Sequence, residues 1–546
     1  MSEVTVTIGV SGDAAINLPP SQSVPAYDAL PAAPAQTGPG NAPVAYDSKR
    51  NRLSIWAGGK WNSSEPLASA SVLDFGAVGD GATDSTAALR AAAAQGVKRL
   101  PAGVFQVSDF ALLADLFSYS GPGKLSYKGL TLSPGTIEDF VMLSVPSVFP
   151  TIQGALDFCA KASIRGKGYV RIQLEDGVYD GLSTLEPQIA YGDRVEIIGN
   201  EANPDKVVLN FNSAGNNGCG FLFLRGNSIC RINGMTLNGN GWVSHGVWAD
   251  QSYGGGVFAN YNSQVLVGGS MRINKFYYGV SSRYGSAVRC EPGVIVTEAG
   301  DVAFHAFAGG SLDAQGCTAI AAAHTKEGLG FGFCAEMGGS LDASSLGLSK
   351  KSLATDCGIA GFYALTGGSI WAHGATAERN ACNGFRAIEG GKIEANKYGD
   401  IASTALNNQL QGYFAQGAGS FINANSAKAS GNGKEGFLAA DSATMDITVA
   451  QASGNKQHGF SALENAVLYG DAAVADGNNG HGFNASSLST LRGDWLTARN
   501  NQKNGFHAET LSVIRVPNPQ TSSNKTPSDA TEGALLKFEK TENLKN

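Results

Sequence analysis

Charged side chains are scarce in this sequence. Asp, Glu, Lys and Arg make up 16% of its 546 residues, against about 25% in an average soluble chain. The formal net charge is −7, which offers no basic footprint for nucleic acid. No run of 18 apolar residues occurs, so no membrane insertion is expected.

The first residues, MSEVTVTIGV, lack the basic and apolar regions of a secretory signal. We therefore expect synthesis in a cytoplasm.

The eight cysteines form no CxxC pair and have no clustered histidines beside them. This pattern argues against a zinc site, and we predict neither a metal nor a cofactor. A reducing cytoplasm argues against disulfides. Buried free thiols that fill small gaps are the expected state.

Glycine, in contrast, is abundant, with 72 residues of 546, roughly double the usual ~7% share. Hydrophobic residues reach 43%, enough to bury a large core. Abundant glycine together with little charge is typical of chains built from many short strands and tight turns.

A glycine-aromatic pair recurs along the second half of the chain, and its last three spacings are 23 residues. With the glycine as position zero, position +3 is always alanine and position +9 is always apolar. The pairs begin at Gly332, Gly361, Gly384, Gly412, Gly436, Gly459, Gly482 and Gly505. The residues at position +9 are Leu341, Ile370, Ile393, Phe421, Met445, Leu468, Leu491 and Ile514.

Position −4 of the repeat is asparagine in six consecutive units. Identical side chains stacked one strand spacing apart let their amides hydrogen-bond to one another along the stack. The pattern predicts an asparagine ladder at a tight turn, formed by Asn380, Asn408, Asn432, Asn455, Asn478 and Asn501.

A period of 23 residues suits three short strands and three turns, and is too short for most helical repeats. One coil cannot bury its apolar side alone, but stacked coils make a continuous core. We therefore predict an all-β fold, a single-stranded right-handed parallel β-helix over residues 146–516, with on the order of 14 coils at about 4.8 Å each. A leucine-rich-repeat horseshoe is the alternative, but its Leu-x-x-Leu-x-Leu signature is missing.

The segments on either side of the repeat differ in composition. Residues 1–66 are rich in proline and predict an extended arm, either an attachment module or a flexible leader. Residues 67–145 contain DFGAVGDGATD, a short alanine-rich helix capped by Asp84, and a strand after LPAGVF. Residues 517–546 are polar and predict a tail with one short helix around 530–541.

The block from DFGAVGDGATD to LPAGVF resembles the opening signature of pectate-lyase-like β-helices, which include many phage tailspikes. A helix capped by Thr151, followed by YVRIQLEDGV, is similar to the start of pectin-methylesterase-type β-helices, but that family's catalytic aspartate motifs are missing. The tailspike resemblance implies a homotrimer on the virion, made in the host cytoplasm. It also implies attachment to a tail or baseplate protein through residues 1–66, and a bacterial surface polysaccharide as partner.

Two classes of function remain open. One is an enzyme that degrades capsule or lipopolysaccharide, most simply by glycosidic bond hydrolysis, with lyase or deacetylase chemistry as variants. The other is a non-catalytic receptor-binding or structural spike of the virion. A secreted bacterial enzyme is disfavoured because the sequence lacks a signal segment.

Residues 242–284 are rich in aromatic residues, and the repeat is poorly kept there. Aromatic rings with a polar group pack well on sugar faces, and binding loops often extend from rigid scaffolds. The candidate binding residues are Trp242, Trp248, Tyr253, Tyr277, Tyr278 and Arg283. Padding of irregular core or of a subunit contact is the alternative. Charged residues in longer units, such as His324, Lys326 and Glu327, are further loop candidates.

The candidate catalytic residues come from position +10, which should face solvent on one sheet. Reading this position along the repeat gives Asp313, Asp342, Trp371, Glu394, Ile422, Asp446, Tyr469, Arg492 and Arg515. Asp313 and Asp342 would lie about 5 Å apart, the separation of a retaining glycosidase pair. Asp342 and Glu394 would lie about 9.6 Å apart, with Trp371 between them to stack on sugar. An ordinary solvated face, or a contact between subunits, is the alternative.

Three further residues, Asp250, Glu298 and Asp301, are the reserve candidates for catalysis near the aromatic-rich loops. Gly480-His481-Gly482 reproduces a short polygalacturonase motif, but it falls on the repeat's own turn and its partner motifs are missing, so we expect a turn residue. Position +2 carries Tyr363, Phe414 and Leu438. It predicts an exposed apolar stripe that a trimer would cover.

Overall fold

The computed structural model describes residues 26–27, 44–47, 52–57, 60–63, 70–189, 192–212, 219–239, 254–322, 330–347, 349–531 and 533–538. The chain divides into two compact units, residues 1–136 and 137–546. Within the described ranges, no helix has the length and apolar character needed to cross a membrane.

The first unit contains two four-stranded sheets. One sheet comprises Ala26–Tyr27, Val44–Asp47, Arg52–Ala57 and Lys60–Ser63. The other comprises Asp80–Asp84, Val104–Val107, Lys124–Tyr127 and Leu130–Leu132. Helices α1 (Thr86–Ala94) and α2 (Phe110–Ala114) and the 3-10 turns Val72–Phe75 and Leu116–Ser118 complete it. Asp84 accepts the backbone N–H of Thr86 at 2.9 Å, which agrees with its predicted role at the start of the helix.

In the second unit, helix α3 (Ile152–Lys161) follows the first strand, Phe140–Val145, and Thr151 caps it by accepting the Gly154 N–H at 3.0 Å, as predicted. Small elements here are the strands Thr136–Ile137 and Ser163–Ile164 and the 3-10 turns Gly192–Arg194 and Pro204–Lys206. The apolar face of α3, with Ile152, Ala155 and Leu156, is buried.

Three long parallel sheets form the body of the second unit, with 16, 14 and 13 strands. Sheet 1 consists of Phe140–Val145, Tyr169–Leu174, Val195–Ile198, Ser228–Asn233, Gln264–Val267, Ala287–Cys290, Ser311–Asp313, Ser340–Asp342, Ser369–Trp371, Lys392–Glu394, Phe421–Asn423, Thr444–Asp446, Val467–Tyr469, Thr490–Arg492, Val513–Arg515 and Leu535–Lys537. Sheet 2 consists of Gly177–Leu182, Val207–Phe211, Thr236–Asn238, Arg272–Asn274, Ile295–Thr297, Thr318–Ile320, Leu353–Thr355, Thr376–Glu378, Thr404–Leu406, Lys428–Ser430, Gln451–Ser453, Val474–Asp476, Thr497–Arg499 and Gln520–Ser522. Sheet 3 consists of Phe221–Leu224, Gly255–Asn260, Tyr278–Arg283, Val302–Phe307, Phe331–Glu336, Ala360–Leu365, Asn383–Ile388, Tyr413–Gln416, Phe437–Ala440, Phe460–Leu463, Phe483–Ser486, Asn504–Ala508 and Thr526–Ala530.

The chain passes from sheet 1 to sheet 2 to sheet 3 and back, and each pass makes one coil. Each strand pairs in parallel with the strand of the next coil, as Leu341 of sheet 1 does with Ile370 and Ile370 does with Ile393. The right-handed parallel β-helix predicted from the repeat is confirmed.

A column of stacked rings runs through the core beneath sheet 3. Nine consecutive coils contribute one ring each, and neighbouring centroids lie 4.6 to 5.1 Å apart. The rings belong to Phe304, Phe333, Phe362, Phe385, Tyr413, Phe437, Phe460, Phe483 and Phe506. The glycine-aromatic pair of the sequence is therefore the unit from which this column is built.

The predicted asparagine ladder is confirmed at the turn between sheets 2 and 3. Asn455 Nδ2 donates to Asn478 Oδ1 at 2.9 Å and to the Ala429 carbonyl at 3.1 Å. Its own Oδ1 accepts from the backbone and the side chain of Asn432, at 3.1 and 2.9 Å. The ladder also includes Asn524, which accepts from Asn501 at 2.9 Å and which the repeat count had missed. Each amide thus satisfies buried backbone groups of the coils above and below it.

Three sequence-based expectations need correction. In the coil of Gly412 one extra turn residue shifts the register, so Ile422 points into the core and Asn423, not Ile422, joins the outward column of sheet 1.

The second correction concerns the apolar residues at position +2, because Tyr363 and Leu438 are only 7% and 6% exposed within the single chain. The apolar stripe at position +2 is therefore largely covered already.

The C-terminal residues also differ from expectation. Instead of a helix in the described part of 530–541, strands Gln520–Ser522, Thr526–Ala530 and Leu535–Lys537 add one more strand to each long sheet. Phe538 packs edge-on against Phe506, with ring centroids 5.5 Å apart, at the end of the ring column. All eight cysteines are free, and six of them are buried, as expected.

Replacing Asn455 with Ala removes four hydrogen bonds from the ladder, and the Ala429 carbonyl and the Asn432 amide lose their partner. Leaving such buried groups unsatisfied costs about 1–3 kcal/mol. We expect a lower melting temperature and denaturation midpoint. Asn479→Ala, at an exposed position of the next coil, is the matched control and should change neither. Equal effects of the two substitutions would contradict a structural ladder.

Tyr413 is the one tyrosine in a column of phenylalanines, and its hydroxyl is buried without a hydrogen-bond partner among the described residues. Because an unsatisfied buried hydroxyl costs about 1–3 kcal/mol, Tyr413→Phe should raise the denaturation midpoint. Tyr398→Phe, at a side chain that is 44% exposed, should leave it unchanged. A loss of stability in Tyr413→Phe would show that the hydroxyl is bonded.

Candidate functional site

The predicted catalytic column exists as a row on the outer face of sheet 1. Cα pairing joins Arg289 to Asp313, Asp313 to Asp342, Asp342 to Trp371 and Trp371 to Glu394. Neighbouring strands in a sheet lie about 4.8 Å apart. The row continues with Asn423, Asp446, Tyr469, Arg492, Arg515 and Lys537. The register thus brings the named side chains together, apart from the correction at Asn423.

The carboxylates of this row are held by neighbouring amides. Gln315 Nε2 donates to Asp342 Oδ2 at 2.5 Å, and the Ser344 N–H donates to Oδ1 at 2.9 Å. Asn423 Nδ2 donates to Glu394 at 2.7 Å. Partial burial raises the pKa of Asp313, and the charge of Asp342 adds to this against the opposing backbone N–H of Gln315. Trp371 is 39% exposed between Asp342 and Glu394, as an aromatic sugar platform requires.

A second group of ionisable side chains lies on the outer face of sheet 3, between two apolar clusters. The first cluster contains Cys219, Leu222 and Phe258. The second contains Val302, Cys334, Ala360 and Tyr363. Tyr278 packs against both clusters. Charges placed between apolar side chains are poorly hydrated, so their interactions are stronger than on an open surface.

Three predicted binding residues meet in this group. The rings of Tyr277 and Tyr278 are perpendicular, with centroids 4.8 Å apart. The Arg283 guanidinium lies over three rings, 4.3 Å from the centroid of Tyr278 and 4.9 Å from those of Phe258 and Phe307. The structure therefore brings together Tyr277, Tyr278 and Arg283, which the sequence named only as members of an aromatic-rich stretch.

Asp301 lies at the turn that leads into the next strand of sheet 3, close to Tyr277 and Tyr278. Its burial raises the pKa of the carboxyl to about 7, and the negative charge of Glu336 adds to this against the charge of Arg283. Asp301 is thus a carboxyl that retains its proton near neutral pH, the property of a general acid.

His305 and Glu336 complete the group, and neither was predicted from the sequence. His305, 1% exposed, lies 3.0 Å from Glu336 Oε1 through Nε2 and stacks on Tyr278, with centroids 5.1 Å apart. Burial opposes ionisation of Glu336, but the pKa of this carboxyl is lowered, with the hydrogen bond from His305 and the charge of Arg283 among the causes. Glu336 occupies an outward position that holds Leu365 and Ile388 in the next two coils. A charge between the apolar residues Phe307 and Leu365 of the neighbouring coils was the available signal.

The loops predicted to bind sugar lie outside the described residues. These are Trp242, Trp248, Tyr253 and the reserve candidate Asp250 in segment 240–253, and His324, Lys326 and Glu327 in segment 323–329. Both segments join a strand of sheet 2 to a strand of sheet 3, the same connection that carries Tyr277 and Asp301. Glu298, another reserve candidate, forms an exposed ion pair with Lys275 at 3.8 Å.

His481 is part of a ring stack rather than of an acid-base group. Its ring lies 5.0 Å from that of His458 and 4.2 Å from that of His507. Its Nδ1 accepts the Asn504 N–H at 3.2 Å. Burial, followed by the charges of His458 and His507, lowers its pKa to about 3. Within the described ranges, no cluster of His, Cys, Asp and Glu is arranged to hold a metal ion.

The comparisons with known proteins concern the fold. A GH87 alpha-1,3-glucanase catalytic domain in complex with nigerose is 14% identical, with 72% of this chain and 68% of that chain covered and a TM-score of 0.38. Tailspike protein 3 of bacteriophage CBA120 is 10% identical, with coverages of 88% and 64% and a TM-score of 0.26. The periplasmic alginate epimerase AlgG is 9% identical, with coverages of 74% and 84% and a TM-score of 0.27. At these identities and TM-scores the likeness has no bearing on function. No protein-family model matches the chain, and no curated protein matches its sequence.

Proposed function

We propose that this chain is a tailspike-type protein that binds a bacterial surface polysaccharide and hydrolyses its glycosidic bonds, with Asp301 as acid and Glu336 as base. The observation that carries the proposal is one buried network, shared by both carboxyls, in which Tyr277, Tyr278, Arg283 and His305 surround them. Two carboxyls whose surroundings push their pKa values apart are the usual sign of an acid and base assignment.

The chemistry balances with these two groups. Asp301 gives its proton to the glycosidic oxygen as the bond to the anomeric carbon breaks, and Glu336 takes a proton from the water that attacks this carbon. Val302, next to Asp301, pairs with Phe331, five residues before Glu336 on its strand. The Cα atoms of Asp301 and Glu336 are therefore offset by six residues, roughly 20 Å along the strands. An acid and a base that act with a water molecule between them correspond to an inverting mechanism.

The outer row of sheet 1 supports a second assignment of the same reaction. Asp313 and Asp342 lie on adjacent strands, about 5 Å apart, close enough for a nucleophile and an acid in a retaining mechanism. The raised pKa of Asp313 favours it as the acid of that pair. Asp342 and Glu394, with Trp371 between them, form the wider pair of this row.

The oligomeric state and the location of the protein are inferred from the sequence resemblance. We infer a homotrimer on the virion tail, attached through residues 1–66 to a tail or baseplate protein. Because Tyr363 and Leu438 are covered within one chain, the trimer no longer has an exposed stripe at position +2 as support. A non-catalytic receptor-binding spike, and lyase or deacetylase chemistry, remain the alternatives that cleavage experiments decide.

Asp301→Asn and Glu336→Gln should each lower cleavage by at least about 100-fold, the usual contribution of a general acid or base. Asp342→Asn tests the second assignment, and Asp446→Asn, in the same row but outside both proposed pairs, is the matched control that should retain activity. The substrate comes from a panel of purified capsular polysaccharides and lipopolysaccharides, assayed by new reducing ends and by size. Loss of cleavage in Asp342→Asn alone would move catalysis to sheet 1. Tight binding without cleavage on every polysaccharide would favour the adhesin.

Cleavage should fall as the pH rises through about 7, because Asp301 then loses the proton it must donate. On the acid side, activity should persist below the ordinary glutamate value of 4.5, since the pKa of Glu336 is lowered. The profile of kcat/KM against pH measures both limits. Tyr277→Phe removes a nearby hydroxyl that lowers the pKa of Asp301, so it should move the alkaline limit to higher pH. An unchanged alkaline limit would contradict the assignment of Asp301.

A further inference from the structure

We propose that His305 is a positioning residue, held as a neutral imidazole with its proton on Nε2, that orients Glu336 without cancelling its charge. The inference rests on the proposed function, because it explains how this network keeps one carboxyl ionised and the other protonated.

The tautomer follows from the contact between His305 and Arg283. An Arg283 guanidinium nitrogen lies 3.2 Å from His305 Nδ1. A guanidinium has donors but no acceptor and remains charged in proteins. Nδ1 must therefore accept, and the single proton of the imidazole must reside on Nε2. From there it is donated to Glu336 Oε1 over 3.0 Å.

Arg283 is fixed in the position that enforces this tautomer. Its guanidinium is surrounded by the rings of Phe258, Tyr278 and Phe307 at 4.3 to 4.9 Å. Its Nε donates to Ser281 Oγ at 3.0 Å. A second proton on His305 would place two cations in contact at a site where the imidazole is 1% exposed. Burial accordingly lowers the pKa of His305, and the charge of Arg283 lowers it further against the opposing effect of Glu336.

A neutral donor has a different effect on Glu336 from a cationic one. A cationic imidazole would form an ion pair with Glu336 and neutralise most of the negative charge of this base. That same charge raises the pKa of Asp301, so the acid would then lose its proton at lower pH. The charged and titratable groups around His305 are Arg283, Glu336, Asp301, Tyr278 and Cys334. Of these, Arg283 alone sets the tautomer.

The first test reads the imidazole directly and needs no substrate. The full chain is labelled with 15N-histidine, and one of its seven histidines is assigned by comparison with His305→Gln. Long-range proton–nitrogen spectra between pH 5 and 8 should show a neutral His305 with its proton on Nε2 throughout. Arg283→Met removes the donor to Nδ1 and should let His305 take up a second proton within this range. A proton on Nδ1, or an imidazolium at pH 6, in the unchanged chain would overturn the proposal.

The second test uses the pH profile of cleavage on the polysaccharide identified above. His305→Gln preserves an acceptor for Arg283 and a donor for Glu336, and should leave the acid limit within a few tenths of a pH unit. His305→Phe preserves the ring packing but removes both bonds, and should raise the acid limit by about one to two units, the value of a hydrogen bond to a charged group. A purely structural histidine would change the melting temperature and the rate in His305→Phe without moving that limit.

The outcomes separate this proposal from the function on which it rests. Full cleavage by Asp301→Asn and Glu336→Gln would refute the catalytic assignment, while the 15N spectra would still report the tautomer. Loss of cleavage in those variants, with an unchanged acid limit in His305→Phe, would refute the positioning role alone.

Discussion

In-register parallel stacking at about 4.8 Å per coil is the constraint on which the rest of this structure depends. Because each residue of a coil lies directly above its equivalent in the previous coil, similar side chains at one repeat position form a continuous column. Planar rings stack 4.6 to 5.1 Å apart beneath sheet 3, and the Asn amides bond to one another at the turn between sheets 2 and 3. In both columns, strand pairing sets the spacing between neighbouring side chains.

The same constraint explains how a site forms on the outer face of such a scaffold. Three adjacent strands of sheet 3 place Arg283, His305 and Glu336 side by side, although 53 residues separate the first from the last. Apolar clusters on both sides limit hydration of these charges. In such surroundings a neutral hydrogen-bond donor shifts the pKa of a carboxyl as a nearby charge does, and so helps to decide which carboxyl keeps its proton.

The two candidate sites differ in their surroundings more than in their composition. The row on sheet 1 is a half-buried face whose carboxylates are held by amides. The group on sheet 3 is enclosed by aromatic side chains, and hydrogen bonds connect Arg283 through His305 to Glu336, with Asp301 near enough to be affected by their charges. Enclosure raises the electrostatic cost of a mismatched charge, and this cost is what separates the pKa values of Asp301 and Glu336.

From the sequence alone, the 23-residue repeat determined the fold class, the ladder of Asn380 to Asn501 and the alignment of Asp313, Asp342, Trp371 and Glu394, since in a stacked coil spacing along the chain is also position in a column. It failed at Ile422, where one extra turn residue shifted the count, and at Tyr363 and Leu438, because an outward position can still be covered by its neighbours. Tyr277, Tyr278 and Arg283 were found by composition, but not their partners His305 and Glu336. Only the tertiary structure identified these two partners. Side chains lean along a strand and meet across coils, and a count of residues does not give the distances between them.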